Sequence, residues 1–205
     1  DKNEIEEKID MLQPVNGTCI FLDITNSTDI KYNKGFKDWM LLLKNTFALL
    51  ELRQKIKDNT IKFMGDAIMI FIPDTILFQK EGSINNYYSL LEEIYATVDL
   101  LQMLHDDEKH MKCKAALHYC EDAYNITFFQ KSDDYYGKGI DLTARLLYRA
   151  KDNSVIFSEQ FYLKALKEFN RFKSQKTSSC MNNISDRYTE MFKGIPHPIE
   201  FRCLK

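Results

Sequence analysis

Residues 61–73 read IKFMGDAIMIFIP, with a single Gly-Asp pair between two apolar runs. Both runs are short and rich in β-branched or aromatic residues, so they read as strands, and MGDA reads as the turn joining them. Pro73-Asp74 ends this hairpin, and residues 75–84 read as a loop. Asp66 raises a second question. An ionised carboxylate beside a core is costly unless it is paired or binds a metal. Turn residue and metal ligand both remain open from this stretch alone.

Working outward, Asn16-Gly17 reads as a turn before a buried strand TCIFLDI, residues 18–24. Ser27 or Thr28 is available to cap the helix that follows. From Gly35 to about residue 57, Phe36, Met40, Leu43, Phe47 and Leu50 recur at steps of four and three, the face of one helix. A second amphipathic helix spans 85–105, with Leu90, Leu91, Ile94, Val98, Leu101 and Leu104 inward. KCKAALHYC (112–120) and YNITFFQ (124–130) read as paired strands. GKGIDLTARLLYRAK (137–151) is a predicted helix with Leu142, Leu146 and Tyr148 among its apolar positions. SVIFS is a strand, EQFYLKALKEF a helix, 173–187 a polar loop and IEFRCLK a closing strand. Strands alternating with long helices, hairpins included, predict an α+β sandwich with helices on a largely antiparallel sheet.

The chain has 205 residues, enough for one domain with a real core. Residues 1–15 read as an N-terminal helical arm and 16–205 as the domain proper. Apolar residues make up 44% and charged residues 28%, which is ordinary for a soluble globular protein. The net charge of −2 gives no sign of a nucleic-acid partner. The longest apolar stretch, AIMIFIP, is too short to span a membrane, and DKNEIEEKID is no signal peptide. Five scattered cysteines without metal spacing predict reduced thiols and a cytoplasmic location.

Asp23 mirrors Asp66. It ends the first strand in IFLDITNST (20–28), before a polar turn that opens a helix. An acid there can cap the helix, or can bind a cation beside backbone N–H groups that hold phosphate. Two such carboxylates on adjacent strand ends suit two hard cations about 4 Å apart, an arrangement used for in-line phosphoryl chemistry. Asp141 and Arg145, four apart in DYYGKGIDLTARL (134–146), share a helix face as a surface ion pair or as site residues. Lys62, between Ile61 and Phe63, points off the opposite face of its strand.

In this order and spacing the pieces resemble the class III nucleotidyl cyclase catalytic domain, the adenylate and guanylate cyclase family, over residues 16–204. IFLDITNST resembles its first metal motif, KFMGDAIM its second, DYYGKGIDLTARL its substrate helix and FKGIPHPIEFRCL its closing strand. The resemblance implies a ferredoxin-like fold and conversion of a nucleoside triphosphate to a 3′,5′-cyclic nucleotide and pyrophosphate. It implies two Mg²⁺ or Mn²⁺ ions held by Asp23, Asp66 and the Ile24 carbonyl, with Thr25, Asn26, Ser27 and Thr28 beside the substrate. Arg145 matches the transition-state arginine, and Lys62 and Asp134 match the two base-reading positions. It also implies a head-to-tail homodimer in which one chain supplies the metal pair and the other the substrate helix.

Two positions depart from the family pattern. Asp141 stands where an asparagine usually orients the ribose, and Ile195 stands where many mammalian members carry a lysine after Phe192-Lys193-Gly194. These 205 residues read as no fused sensor or membrane domain, so if the chain is complete, regulation is expected from elsewhere. A donor at Lys62 and an acceptor at Asp134 match the edges of adenine and cytosine, and mismatch guanine and uracil. A small free-standing cyclase rich in Lys and Asn resembles the pyrimidine cyclases of bacterial antiphage Pycsar systems, whose product a separate effector reads. That resemblance favours CTP and cyclic CMP, with ATP and cyclic AMP the alternative. A pseudocyclase that binds nucleotide without turnover is the alternative from another class.

Overall fold

The computed structural model describes residues 2–105, 112–127, 133–172 and 180–205. Its centre is β1 (Val15–Thr25), hydrogen-bonded antiparallel to β3 (Ala67–Pro73) on one side and to β4 (Lys112–Asn125) on the other. β2 (Thr60–Met64) flanks β3. Beyond β4 lie β6 (Ser154–Ser158), β8 (Ile199–Leu204) and β7 (Tyr188–Glu190), giving the order β2-β3-β1-β4-β6-β8-β7. The two-residue strand β5 (Tyr135–Tyr136) pairs with the end of β4. Only β4 and β6 run parallel among these pairings. This is the α+β architecture expected from the sequence, a largely antiparallel sheet with helices packed on it.

Strand alternation divides the sheet into two apolar faces. Ile20, Leu22, Ile68, Ile70, Leu117 and Phe157 point to one face, beneath α6 (Tyr87–His105) and α8 (Glu159–Phe172). Each such fully buried side chain contributes about 1.5–3 kcal/mol, so this face carries most of the core. The other face presents Cys19, Phe21, Met69, Phe71 and Cys120 to α7 (Lys138–Arg149), through Ile140 and Leu147. Parallel strands cannot be joined by a tight hairpin. The chain between β4 and β6 therefore crosses this second face, and that crossing positions α7.

Several local expectations need correction. The sheet begins at Val15, and Asn16-Gly17 forms an irregularity inside β1, not a turn before it. The helix expected over 35–57 is α3 (Phe36–Glu51) and a separate α4 (Gln54–Asp58), and α2 (Ser27–Asn33) precedes them. Its period was legible but its face was displaced. Leu42, Leu43, Thr46 and Leu50 are buried, while Phe36 and Met40 are exposed. The loop after Pro73 holds a short helix, α5 (Asp74–Leu77). β4 runs unbroken through Glu121-Asp122, so no hairpin separates residues 120 and 124, and residues 128–130 lie outside the described residues. Tyr148 of α7 is exposed rather than apolar core. In the polar 173–187 stretch, 173–179 lie outside the described residues and Cys180–Asn183 form a 3-10 turn. The Leu104 side chain is also outside them. The arm contains α1 (Lys2–Asp10), whose Ile5 and Ile9 are exposed.

α7 sits close to β4 because Gly139 has no side chain. A Cβ there would lie 2.6 Å from Cys120 Sγ and 3.2 Å from His118 Cδ2. Gly139→Ala is expected to destabilise the fold by about 1–3 kcal/mol by forcing these layers apart. Urea unfolding measures this, and an unchanged midpoint would show that α7 is not seated so tightly.

Candidate active site

Asp23 lies near the end of β1, in register with Ala67 of β3 and Lys114 of β4. Asp66 is the second residue of the two-residue turn between β2 and β3. Gly65 before it has φ +72°, the left-handed conformation that a tight hairpin of this kind requires at its first central position. The Ile24 amide donates to the Asp66 carbonyl at 3.3 Å, tying the turn to the strand end. The carboxyl of Asp23 is held above its ordinary value of 3.8, first by burial and then by the charge of Asp66, with Lys114 opposing both. The Lys114 ammonium is 3.7 Å from Asp23 Oδ2. This lysine was missed in the sequence, although a cation alternating with Cys113 and Ala115 in a buried strand was its signal.

The turn after Asp23 differs from the capping expectation. The Ser27 hydroxyl donates to the Asp66 carboxylate instead of capping α2. The residue before α2 is Asn26, at φ 65°, and its side chain makes no capping bond. Asparagine tolerates this left-handed conformation better than most residues. The Thr25 hydroxyl donates to the Lys112 carbonyl at 2.8 Å, and Thr28 is exposed on α2.

Asp23, Asp66 and the Ser27 hydroxyl are hard oxygen donors. The opposed charges of the two carboxylates are relieved by a cation. The set therefore fits a hard divalent ion such as Mg²⁺ or Mn²⁺. Among the described residues no group of three or more His, Cys, Asp or Glu side chains could hold a metal. Phosphate oxygens and water must complete any coordination shell here, as Mg²⁺ sites commonly allow.

Lys62 is opposite Met69 in the β2–β3 register, which puts it on the same face of the sheet as α7. Its ammonium donates to both carboxylate oxygens of Asp134, at 2.8 and 2.9 Å. Asp134 is only 1% exposed, whereas the Lys62 side chain is 35% exposed. The two expected base-reading residues thus meet, across 72 positions of sequence.

Asp141 and Arg145 line a cleft of about 770 Å³ between α7 and the ends of β6 and β8. They form no ion pair with each other among the described residues, so the surface salt-bridge alternative is not what the fold builds. A Cβ on Gly194 would lie 3.5 Å from the Arg145 guanidinium, which places this arginine beside the loop before β8. Ile195 lines the same cleft. Its floor holds His118, whose Nδ1 is 2.8 Å from Ser158 Oγ and whose pKa burial pushes down to about 4. Asp122 accepts from the backbone N–H groups of Lys138 and Gly139, capping α7 from β4. Asp23, Asp66, Lys62 and Asp134 are not among the residues lining this cleft. Within one chain the structure brings together Asp23 with Asp66 and Lys62 with Asp134, and sets Asp141 and Arg145 in the cleft.

No protein-family model matches the sequence. No curated protein is significantly similar to it. Solved structures do resemble the fold. The adenylyl cyclase CyaB from P. aeruginosa superposes with a TM-score of 0.69 at 14% identity, covering 95% of each chain. The guanylate cyclase domain of RhGC from Catenaria anguillulae, in complex with GTP, gives 0.65 at 14% identity over 93% of this chain and 96% of that one. An adenylate cyclase from Trypanosoma brucei in its monomeric state gives 0.64 at 14% identity, over 92% and 89%. The chain has the fold of class III nucleotidyl cyclase catalytic domains.

The raised Asp23 carboxyl has consequences for pH and metal. It is harder to ionise in the folded than in the unfolded chain. The metal-free fold therefore loses stability as pH rises through the window that opens at 3.8. A bound cation removes that penalty but competes with the proton. Mn²⁺ is expected to raise the melting temperature near neutral pH, and to do so less as pH falls toward that window. Asp66→Asn is expected to abolish the gain. An equal Mn²⁺ gain in the variant would place the ion elsewhere.

Proposed function

We propose that this chain is a nucleotidyl cyclase that closes a nucleoside triphosphate to its 3′,5′-cyclic monophosphate and releases pyrophosphate. The observation that carries the reading is the carboxylate pair itself: Asp23 stands opposite Ala67 of β3, the residue that follows Asp66, in a chain with the fold of class III cyclase domains. Two divalent cations at that pair would favour the deprotonated ribose 3′-oxygen and hold the triphosphate. Lys114, 3.7 Å from Asp23 Oδ2, would offer its ammonium to phosphate oxygens. Ser27 orients the Asp66 carboxylate through its hydroxyl. The polar turn Thr25–Thr28 borders the phosphates.

Arg145 stabilises the negative charge that develops as the 3′-oxygen attacks the α-phosphorus. Among the described residues it makes no ion pair, and it lines the cleft, so its guanidinium is available to substrate. Asp141, in place of an amide, accepts a hydrogen bond from a ribose hydroxyl. Because Arg145 and Asp141 line a cleft apart from Asp23 and Asp66, a complete site takes the carboxylate pair from one chain and α7 from a second, head to tail. Lys62 donates and Asp134 accepts, which selects ATP or CTP over GTP or UTP. We favour CTP, with cyclic CMP acting as a messenger for a separate effector in antiphage defence. That last assignment is supported by resemblance to the Pycsar cyclases.

The experiment incubates purified protein with each of the four triphosphates and Mn²⁺, and identifies products by mass. Cyclic CMP or cyclic AMP is the expected product. Arg145→Ala is expected to lower its rate on the order of 100-fold or more. No cyclic product from any triphosphate would leave a nucleotide-binding pseudocyclase, and Asp141→Asn would then be the first variant to assay for recovered turnover.

A further inference from the structure

Three aromatic residues adjoin Lys62 or Asp134 in sequence, and the fold uses them differently. Phe63, in register with Ile68, faces the larger core's side of the sheet and meets the Phe47 ring edge-on, with centroids 4.8 Å apart. Tyr135 stacks on Phe71 at 4.1 Å. Both rings serve packing. Tyr136 is 44% exposed, and Lys62 Nζ lies 5.4 Å from its ring centroid. Asp134, just before β5, and Tyr136 within it both approach the lysine. Among the described residues the ammonium thus lies beside a buried carboxylate and an exposed aromatic ring.

We propose that Tyr136 is the specificity-determining wall of the base pocket, and that its ring limits the base held at Lys62 to a single ring, making CTP the substrate. This rests on reading Lys62 and Asp134 as the base-recognition pair. Lys62 has three protons to donate, and two are directed at the Asp134 oxygens. The third is left for a ring nitrogen acceptor of the base. Asp134 is nearly inaccessible, so an amino group on the base reaches it only if the base is drawn close against Lys62. There the base meets Tyr136. A pyrimidine ends at its six-membered ring, whereas a purine carries a second ring that competes with the tyrosine for space. A tyrosine acting only as a stacking platform has the opposite effect, because a purine offers it the larger surface. The direction of the change when the ring is removed separates the two roles.

The test compares wild type, Tyr136→Ala and Tyr136→Phe. Affinities for the unreactive α,β-methylene analogues of CTP and ATP are measured with Mn²⁺, alongside kcat/KM for CTP and ATP themselves. Tyr136 is half exposed, so both variants are expected to fold, and thermal melts check this. The wild type is expected to prefer the CTP analogue. Tyr136→Ala is expected to raise the ATP-to-CTP affinity ratio about 10-fold or more, the scale on which pocket volume discriminates. Tyr136→Phe, which keeps the ring, is expected to retain the wild-type ratio. A wild type that prefers the ATP analogue, or a Tyr136→Ala ratio that is unchanged or lower, would overturn the proposal. Turnover is read separately. A wild type that binds the analogues but makes no cyclic product removes the cyclase reading, while the affinity ratio still decides the role of Tyr136.

Discussion

Two carboxylates that oppose each other at the end of a sheet need a physical reason to stay together. Here the reason is the pairing of β1 with β3. Ile20 and Leu22 stand opposite Ile70 and Ile68 in register, all four buried in the larger core. That apolar pairing fixes the strand end at Asp23 and the turn at Asp66, and the Ile24 amide holds the turn in place. The cost appears in the raised carboxyl of Asp23 and is offset in part by Lys114 and by the Ser27 hydroxyl on Asp66. Like charges held together by a fold with ample core elsewhere are what the proposed cation site requires.

The same topology separates this corner from α7. A parallel β4–β6 pair obliges the intervening chain to cross one face of the sheet, and Ile140 and Leu147 bind the crossing helix to Phe21, Met69 and Cys120. Gly139 permits the close approach and Asp122 caps the helix start. Asp141 and Arg145 are thereby presented to a cleft whose walls come from β6 and the loop before β8, away from the carboxylate pair. Within one chain, then, Asp23 and Asp66 do not line the cleft that holds Asp141 and Arg145. The proposed two-fold arrangement of copies would unite them, because each copy would then both give and receive one half of a site.

Much of this was legible in the sequence because apolar periodicity encodes it. The IMIFI and IFL runs admit only a buried strand at their length, and LLEEIYATVDL follows helical spacing closely. The acids Asp23 and Asp66 stand out against those runs for the same reason. What escaped depends on contacts between distant residues. Glu121-Asp122 looked like a break because two charges interrupt an apolar run, yet Asp122 serves α7 and the strand continues through it. Phe36 and Met40 fitted the period of α3, but the side facing the core is set by Ile24 and Ile30, which pack on Leu42 and Leu43. Ser27 was a plausible cap by local chemistry, and its actual partner is 39 residues away. Lys114 stood out as a cation in an apolar strand, but its partner is set by lying opposite Asp23 across the sheet.

The claim that two copies share each site is tested most directly by mixing two inactive chains. Asp66→Ala keeps Arg145, and Arg145→Ala keeps Asp66. If each site draws Asp66 from one chain and Arg145 from the other, a heterodimer holds one whole site and one doubly defective site. Random exchange at equal amounts makes half the dimers mixed, so activity should recover to roughly a quarter of the wild-type level. No recovery, with heterodimers shown to form, would mean that each chain completes its own site and would contradict the shared-site arrangement.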